Sequence, residues 1–323
     1  MYPLEESFDA QILSLGQDRP AVVFTEPDDP RILEAACRLT RFIKPVFLAG
    51  EDEVRRAAGR HLSHLEPTRI EYSLARSAFV DIPRRPELVE EFAAACLSRG
   101  RCGSGAKTME GARRAVSEPG LFGIYAVHMG HADVVVGGAR HNPRDFFRPM
   151  LALLAKRPVV CEVGVFVLPD DFPEGYYPHN IAVFGDVGVN AVMPAETLAE
   201  VAVGACVVAR DIIPQDALPE VHGTIVSYSH KGSDDGPSPD RVRHAMELIP
   251  GLLAKISKLQ PRYSGIRIAG EVKFSAVLSR RSAEFYGEGG GWPGGTNVVI
   301  CPNLETGNLL YHLYAARFTQ AKK

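Results

Sequence analysis

The chain has 323 residues, which exceeds the size at which one hydrophobic core usually keeps growing, so we expect two domains. With 46% hydrophobic and 23% charged residues, the composition is that of a folded globular protein. A net charge of -3 argues against the concentrated basic surface of a nucleic-acid binder. No apolar run reaches the roughly 18 residues of a membrane span, and the start, MYPLEESFDA, lacks a leader pattern. We expect a cytoplasmic protein with no nucleic-acid or membrane partner.

The cysteines are scattered, and none forms a C-x-x-C pair of the kind that zinc and redox sites use. We interpret them as reduced and mostly buried thiols, because a chain of this size needs no disulfide framework. The six cysteines are Cys37, Cys96, Cys102, Cys161, Cys206 and Cys301.

Apolar runs alternate with helical patterns from the start of the chain. The run AVVF at 21–24 precedes an amphipathic stretch at 30–41 and a second run at 45–50, which is βαβ order. Further strands are predicted in ADVVVG, PVVCEVGVFVL, NIAVFGDVGV, GTIVSYS and NVVICP. Their continuous apolar character indicates mainly parallel sheets with helices on each face.

Two helices stand out in the second half. Residues 195–209 follow Pro194, which can occupy a first helical turn. Residues 238–249 carry apolar side chains at helical spacing and are expected to end at Pro250. The glycine-rich stretch 287–295, GEGGGWPGG, is a flexible loop by composition.

A polar loop, SYSHKGSDDGPSPDRV at 227–242, joins a strand to a helix. Backbone N–H groups, the hydroxyls of Ser229 and Ser233, and the ammonium of Lys231 can converge on a phosphate near the positive end of a helix. The sequence is not a Walker A loop, since G-x-x-x-x-G-K-[ST] is absent. A polar loop with a helix cap explains the same spacing, so both interpretations stay open.

Basic residues follow another strand, in ADVVVGGARHNPRDFFRPML at 132–151. Arg144 and Arg148 are four residues apart and share a helix face, where they can clamp a phosphate or a carboxylate, with Arg140 and His141 just before them. A solvated basic face is the alternative.

A third strand ends in the turn of NVVICPNLETGN at 297–308. Ligands of open α/β sheets bind outside the carboxyl ends of strands, which favours a binding role for Asn303 and Asn308. An ordinary structural turn is equally consistent.

Eight collinear segments connect these features. They are TEPDDPRILEAA, TMEGARRAV, LFGIYAVHMGHADVVVGGA, RPML, FGDVGVNAVMPAETLAEVAVGA, VSYSHKGS with DRVRHAMEL, AGEVKFSAVL and VVICPNLETGNLLYHL. The first is similar to E-x-x-D-P-R-x-x-x-A-A and the third to F-G-x-x-x-V-x-x-G-x-A-D-G-x-V-S-G-A. In this order, over roughly 21–318, the chain resembles the phosphate acetyl/butyryltransferase family.

The resemblance implies two α/β/α domains with mainly parallel sheets and a cleft between them, in the isocitrate/isopropylmalate dehydrogenase-like architecture. We expect one domain from 1–157 plus 278–323 and a second, inserted domain from 158–277. It also implies that the thiol of coenzyme A attacks an acyl phosphate, or that phosphate attacks an acyl-CoA. Coenzyme A is then a substrate, no metal or tightly bound cofactor is expected, and the assembly is a homodimer.

The resemblance also assigns residues. Ser229 to Ser233 match the family's S-T-K-G-S acyl-phosphate loop, Arg148 matches the arginine of R-P-x-L, and Asn297 holds the place of an active-site Asn or Asp. An upstream substrate arginine corresponds to Arg99 or Arg101. We therefore predict Ser229, Arg148 and Asn297 as catalytic groups. The predicted substrate-binding residues are Ser229, His230, Lys231, Gly232, Ser233, Arg99, Arg140, His141, Arg144, Lys273, Asn303 and Asn308.

Several family positions are replaced. Residues 269–277, AGEVKFSAV, stand where the family reads D-G-x-x-Q-x-D-A-A, and 287–295 stands where K-x-P-x-S-x-x-x-G supplies a serine. Gly137 takes the place of the serine in V-S-G-A, and Cys301 that of the phenylalanine in F-P-D-L. Lost carboxylates and hydroxyls remove proton-transfer groups, which predicts weak acetyl transfer and altered specificity. A non-catalytic acyl-CoA or acyl-phosphate sensor and a scaffolding paralogue are the alternatives.

Overall fold

The computed structural model describes residues 19–98, 106–140, 143–155, 159–169, 177, 180–213, 215, 218–286 and 296–318. The chain divides into two compact units whose boundary falls between residues 156 and 157. Each unit is an α/β structure built on its own sheet. Within these ranges no helix combines the length and the apolar character that a bilayer crossing requires.

Four parallel strands form the sheet of the N-terminal unit, in the order β3-β2-β1-β4. The strands are β1 Ala21–Phe24, β2 Lys44–Phe47, β3 Ala78–Phe79 and β4 Val134–Val136. The helices are α1 Pro30–Leu39, α2 Glu51–His61, α3 Pro67–Leu74, α4 Pro86–Ser98, α5 Met109–Val116, α6 Pro119–His128 and α7 Pro143–Leu154, with a 3-10 turn at Ile82–Arg84.

Alternate residues of β1 serve two hydrophobic cores. Val22 and Phe24 pack with side chains of α1, α2 and α3, whereas Val23 packs with side chains of α4, α5, α6 and α7. Because side chains of a strand alternate between faces, the sheet has helices on both faces. The predicted α/β/α layering is confirmed in this unit.

The C-terminal unit contains a five-stranded sheet in the order β5-β6-β9-β7-β8, in which only the edge strand β5 is antiparallel to its neighbour. The strands are β5 Val163–Val167, β6 Ile181–Gly185, β7 Val221–Val226, β8 Ile266–Val272 and β9 Val298–Ile300. The helices are α8 Ala195–Ile212, α9 Pro237–Leu259, α10 Phe274–Leu278, α11 Arg280–Phe285 and α12 Leu304–Phe318, with a 3-10 turn at Pro261–Tyr263.

This second sheet is also covered on both faces. Ile181 and Val183 of β6 pack in the core under α8 and α9, while Ala182 and Phe184 pack in the core that includes α10, α11 and α12. The helix predicted at 195–209 is confirmed as α8, which ends three residues later.

The domain boundary differs from the sequence-based one, which assigned residues 278–323 to the first domain. Strand β9 lies between β6 and β7, pairing Val183 with Val298 and Gly223 with the same residue. These ladders place the described part of that segment in the C-terminal unit. Among the described residues the two units are consecutive in sequence, whereas the sequence-based prediction has the second domain inserted in the first.

Helix α9 is longer than predicted. It continues through Pro250 to Leu259 instead of ending at residue 249. Proline removes one backbone donor and favours a kink, but Leu252, Leu253 and Ile256 beyond it pack against the core. The burial of these apolar side chains stabilises the helix beyond the proline.

One cysteine departs from the prediction of reduced thiols. Cys96 is disulfide-bonded. The free cysteines in the described ranges are Cys37, Cys161, Cys206 and Cys301. Composition alone cannot show which thiols meet in space, and that proximity decides pairing.

Gly307 of α12 lies where this helix packs closely against the backbone after β6. A Cβ at this position would overlap the backbone carbonyl oxygen of Asp186, which cannot rotate away. We expect Gly307→Ala to lower the free energy of unfolding of the C-terminal unit by about 1–3 kcal/mol, as overpacking does. Urea denaturation of the variant and of wild type measures this change in the free energy of unfolding.

Gly251 of α9 is the matched control, since a Cβ there meets nothing within 4 Å. Gly251→Ala should leave stability unchanged or raise it by up to about 1 kcal/mol. Equal effects of the two substitutions would contradict the packing argument.

Candidate functional site

The carboxyl ends of β7 and β8 form an irregular edge. The register of the two strands shifts, so that Ile225 pairs with Gly270 and Val226 pairs with Val272. Glu271 is the extra residue, with a φ of 55° in the left-handed region. Such a bulge redirects a side chain at a strand end, and it turns Glu271 toward the loop that follows β7.

The Glu271 carboxylate holds this loop. Its Oε1 accepts hydrogen bonds from Ser229 Oγ at 2.6 Å, Gly232 N at 3.0 Å and Arg243 Nη1 at 2.6 Å. Its carbonyl oxygen accepts from Lys231 N at 2.9 Å. Ser229 and Glu271 are buried. A hydroxyl, a backbone N–H and a guanidinium therefore converge on one anionic oxygen, an arrangement suited to binding anions.

His230 connects the loop to the segment after β8. Its Nδ1 accepts a hydrogen bond from Lys273 N at 3.2 Å, and its ring packs against Tyr286 with centroids 4.8 Å apart. The Lys273 ammonium lies 5.3 Å from the centre of the same Tyr286 ring. Because Nδ1 accepts, a neutral His230 carries its proton on Nε2.

Charges of both signs surround the loop. Arg243 contacts Asp240 at 2.5 Å and Asp235 at 3.6 Å as well as Glu271. The hydrogen bond to Asp240, followed by the charges of Glu271 and Asp240, raises the pKa of Arg243. The guanidinium stays charged and is shared among carboxylates, while Lys231 is exposed.

The turn after β9 lies at the same edge of the sheet. Asn303 Oδ1 accepts from Thr306 N at 2.9 Å and from Thr306 Oγ1 at 2.8 Å, so its side chain caps α12. Asn308 Nδ2 donates to Val187 O at 3.4 Å. Both predicted binding residues have structural partners here.

A cavity of about 280 Å³ opens beside this turn. Its walls are mostly apolar, with a carboxylate and a hydroxyl at α12. The lining residues are Val226, Phe274, Glu305, Thr306, Leu309 and Leu310.

Asn297 lies at the opposite edge of the sheet. It precedes β9, and its Oδ1 accepts from His222 N at 2.9 Å while its Nδ2 donates to Glu220 O at 3.4 Å. His222 is near the start of β7, whereas Ser229 follows the end of β7. The structure does not bring Asn297 together with the loop. The Asn297 side-chain amide instead connects the start of β9 to the start of β7.

In the N-terminal unit, acidic residues bind the turn after β4. Glu26 is buried and accepts from Ala139 N and Arg140 N, both at 2.8 Å. Arg140 makes a two-pronged ion pair with Asp28, and this partner lowers the pKa of Asp28. Arg140, a predicted substrate ligand, is thus already paired within its own unit.

Two further predicted residues lie on α7. Arg148 is exposed on α7, and Arg144 belongs to the first turn of the same helix. The catalytic role of Arg148 stays a prediction. Arg99, Arg101, His141 and residues 287–295 lie outside the described residues. Within the described ranges, no group of three or more His, Cys, Asp or Glu side chains is placed to hold a metal ion.

Gly137 has little room for the serine of the family motif. A Cβ there would overlap Thr25 Oγ1 and lie 2.9 Å from Phe146 Cε2. Thr25 fills the space into which a serine side chain would extend.

A family model described as "Phosphate acetyl/butaryl transferase" matches residues 8–323. The chain belongs to this family. A phosphate acetyltransferase of Staphylococcus epidermidis is 30% identical over 313 residues, covering 94% of this chain and 86% of the relative. The phosphate acetyltransferase of Bacillus subtilis strain 168 is 29% identical, with the same coverage. The resemblance inferred from the motifs is confirmed.

Solved structures agree. The EutD phosphotransacetylase from Staphylococcus aureus superposes with a TM-score of 0.71 at 25% identity, over 97% of this chain and 86% of that chain. A phosphotransacetylase from Streptococcus pyogenes gives a TM-score of 0.70 at 25% identity, with the same coverage. The family's fold therefore holds over nearly the whole length.

Sequence reasoning missed two residues of the loop site. In the sequence, Glu271 stands within a segment of replaced family groups, and Arg243 belongs to a predicted helix. A lone carboxylate between Gly270 and Val272 in an apolar strand was the available signal for Glu271. Buried charges need partners, so such a residue indicates a cation nearby in the fold.

Restoring the family serine at Gly137 should destabilise the N-terminal unit. Overpacking against Thr25 and Phe146 should cost about 1–3 kcal/mol in Gly137→Ser. Thr25→Ala in the same chain should recover part of that loss, because it removes the overlapped hydroxyl. Thermal and urea denaturation measure both.

Gly59→Ser is the control in the same unit, since a Cβ at Gly59 meets nothing within 4 Å. A Gly137→Ser protein as stable as Gly59→Ser would show that the site can accommodate the side chain.

The pair Asp29–Arg31 should make stability depend on pH. The hydrogen bond from Arg31 lowers the pKa of Asp29 from 3.8 to about 2. A carboxyl with a lowered folded-state pKa contributes stability above its unfolded pKa and loses it as the pH falls through the folded one. Asp29→Asn should therefore be less stable than wild type at about pH 6, and the difference should shrink between about pH 4 and pH 2.

Urea denaturation of both proteins across this range gives the measurement. The asparagine keeps an oxygen that can cap α1, so the comparison isolates the charge. A difference that stays constant as the pH falls would rule out the coupling.

Proposed function

We propose that this chain catalyses acyl transfer between coenzyme A and phosphate or a related acceptor, with a specificity altered from that of its relatives. Membership in the family and relatives named phosphate acetyltransferases support the reaction class. The observation that carries the proposal is the convergence of Ser229 Oγ, Gly232 N and Arg243 Nη1 on one anionic oxygen. These donors suit the phosphoryl group of an acyl phosphate.

The reaction asks for positioning and charge stabilisation. The coenzyme A thiolate attacks the acyl carbonyl carbon, a C–S bond forms, the C–O bond to phosphate breaks, and phosphate leaves with the bonding electrons. Ser229, Gly232 and Arg243 would hold the leaving phosphate, with Lys231 near it. His230 acts as a positioning residue, because its Nδ1 ties the loop to Lys273 N and its backbone N–H donates to Ser233 Oγ within the loop.

The altered specificity finds support in the cavity beside the loop. It begins at Val226, directly before the loop, and its apolar walls include Phe274 and Leu309. Apolar walls favour methylene groups over water. An acyl group longer than acetyl, bound there, is consistent with the replaced family residues. A homodimer in the cytoplasm belongs to the same proposal.

A non-catalytic binding protein is the second candidate. Asn297, predicted as catalytic, is occupied by backbone groups at the far edge of the sheet. Ser275, at a family carboxylate position, is an exposed hydroxyl on α10. Both observations favour binding without fast turnover.

A coupled assay separates the two candidates. Acyl-CoA formation is measured from coenzyme A and acetyl, propionyl or butyryl phosphate, with coenzyme A affinity measured in the same preparation. We expect acetyl turnover below the usual range of roughly 1 to 10³ per second, with faster transfer for a longer acyl group. Binding of coenzyme A without transfer of any of these acyl groups would leave only the sensor.

Ser229→Ala should lower the transfer rate by roughly 10²-fold, the usual cost of losing one oxyanion donor. Ser264→Ala is the matched control, because Ser264 is exposed and lies next to the start of β8, at the other end of that strand. Equal rates in the two variants would remove Ser229 from the reaction.

A further inference from the structure

The donors of the loop are already occupied. Ser229 Oγ, Gly232 N and Arg243 Nη1 come from three separate positions along the chain, and all donate to the same oxygen, Glu271 Oε1. Hydroxyls, backbone N–H groups and guanidinium groups are also the donors that bind phosphate oxygens in proteins. The carboxylate thus takes the position that a ligand's oxygen would take.

The surroundings do not favour a second anion beside Glu271. Glu271 is 6% exposed and Ser229 is fully buried, so their contact is shielded from solvent. An incoming phosphate would meet Lys231 and Arg243. It would also meet the carboxylates Asp234, Asp235, Asp240 and Glu271. Two anions that share the same hydrogen-bond donors repel each other, so phosphate and Glu271 exclude each other from these donors.

The backbone under Glu271 is held for this contact. Its φ of 55° is costly for a residue with a Cβ. The hydrogen bond from Lys231 N to its carbonyl and the three bonds to its side chain offset that cost. Glycine adopts the same φ without strain. The backbone alone would therefore favour glycine at this position, and the side-chain hydrogen bonds are what stabilise Glu271 there.

We propose that Glu271 is an internal anion that fills the phosphate position of the loop and sets its affinity for the substrate's phosphoryl group. Phosphate or an acyl phosphate enters only when it takes Ser229, Gly232 and Arg243 from the carboxylate. This inference rests on the proposed function in one respect, the identity of the anion as a phosphate or acyl phosphate. Its test is a binding measurement and requires no turnover.

Isothermal titration of the full chain with inorganic phosphate, and separately with acetyl phosphate, measures the effect. Glu271→Gly removes the carboxylate and suits the backbone, and Glu271→Gln keeps the side-chain shape without the charge. We expect roughly tenfold or tighter binding of phosphate in both variants than in wild type, since a charged competitor for charge-assisted hydrogen bonds is gone. Adding Arg243→Met to Glu271→Gly should abolish the gain.

Asp240→Asn is the matched control. It removes a carboxylate from the same guanidinium, 2.5 Å from Arg243 Nη2, but leaves Glu271 on the loop. Its phosphate affinity should stay within about threefold of wild type, because the donors remain filled. A gain equal to that of Glu271→Gly would show a general charge effect and overturn the internal-anion role.

A Glu271→Gly protein with the circular dichroism and elution volume of wild type, yet no tighter phosphate binding, would also overturn it. Wild-type crystals soaked in phosphate give a measurement free of substitutions. Phosphate against Gly232 N with Glu271 turned away supports the proposal, and phosphate ordered only elsewhere with Glu271 still on Ser229 contradicts it. Tighter binding in the variants with no acyl transfer by wild type would refute the proposed function and leave this inference standing.

Discussion

One carboxylate oxygen joins three parts of the C-terminal unit. Glu271 Oε1 links the end of β8 to the loop after β7 and, through Arg243, to α9. Buried charges are tolerated only when paired and hydrogen-bonded. The loop conformation, the position of Arg243 and the bulge in β8 therefore depend on one another, and this contact orders the carboxyl end of the sheet around the loop.

In both units, acidic side chains at the carboxyl ends of the strands hold a turn and pair with an arginine. In the N-terminal unit Glu26 holds two backbone N–H groups of the turn after β4, and Asp28 neutralises Arg140. In the C-terminal unit Glu271 holds the loop after β7 and neutralises Arg243. Acidic side chains thus hold the turns after β4 and β7.

The alternation of apolar runs predicted the layers, most strands and α8, because burial on both faces of a sheet leaves a strong sequence signal. The family motifs indicate the loop at Ser229 as a substrate site, which stays a prediction. Three features depended on distant contacts and were not predictable from local pattern. They are the place of β9 within the second sheet, the continuation of α9 past Pro250, and the pairing of Glu271 with Ser229 and Arg243.

Strand β9 is the last strand in the sequence but lies inside the C-terminal sheet, between β6 and β7. Until residues 298–300 leave the ribosome, β6 and β7 have no shared neighbour, and this sheet remains two separate pairs of strands. The N-terminal unit has all its described strands by residue 136. Synthesis therefore lets one unit fold early while the other waits with apolar strand edges open, the interval in which chaperones protect a nascent chain.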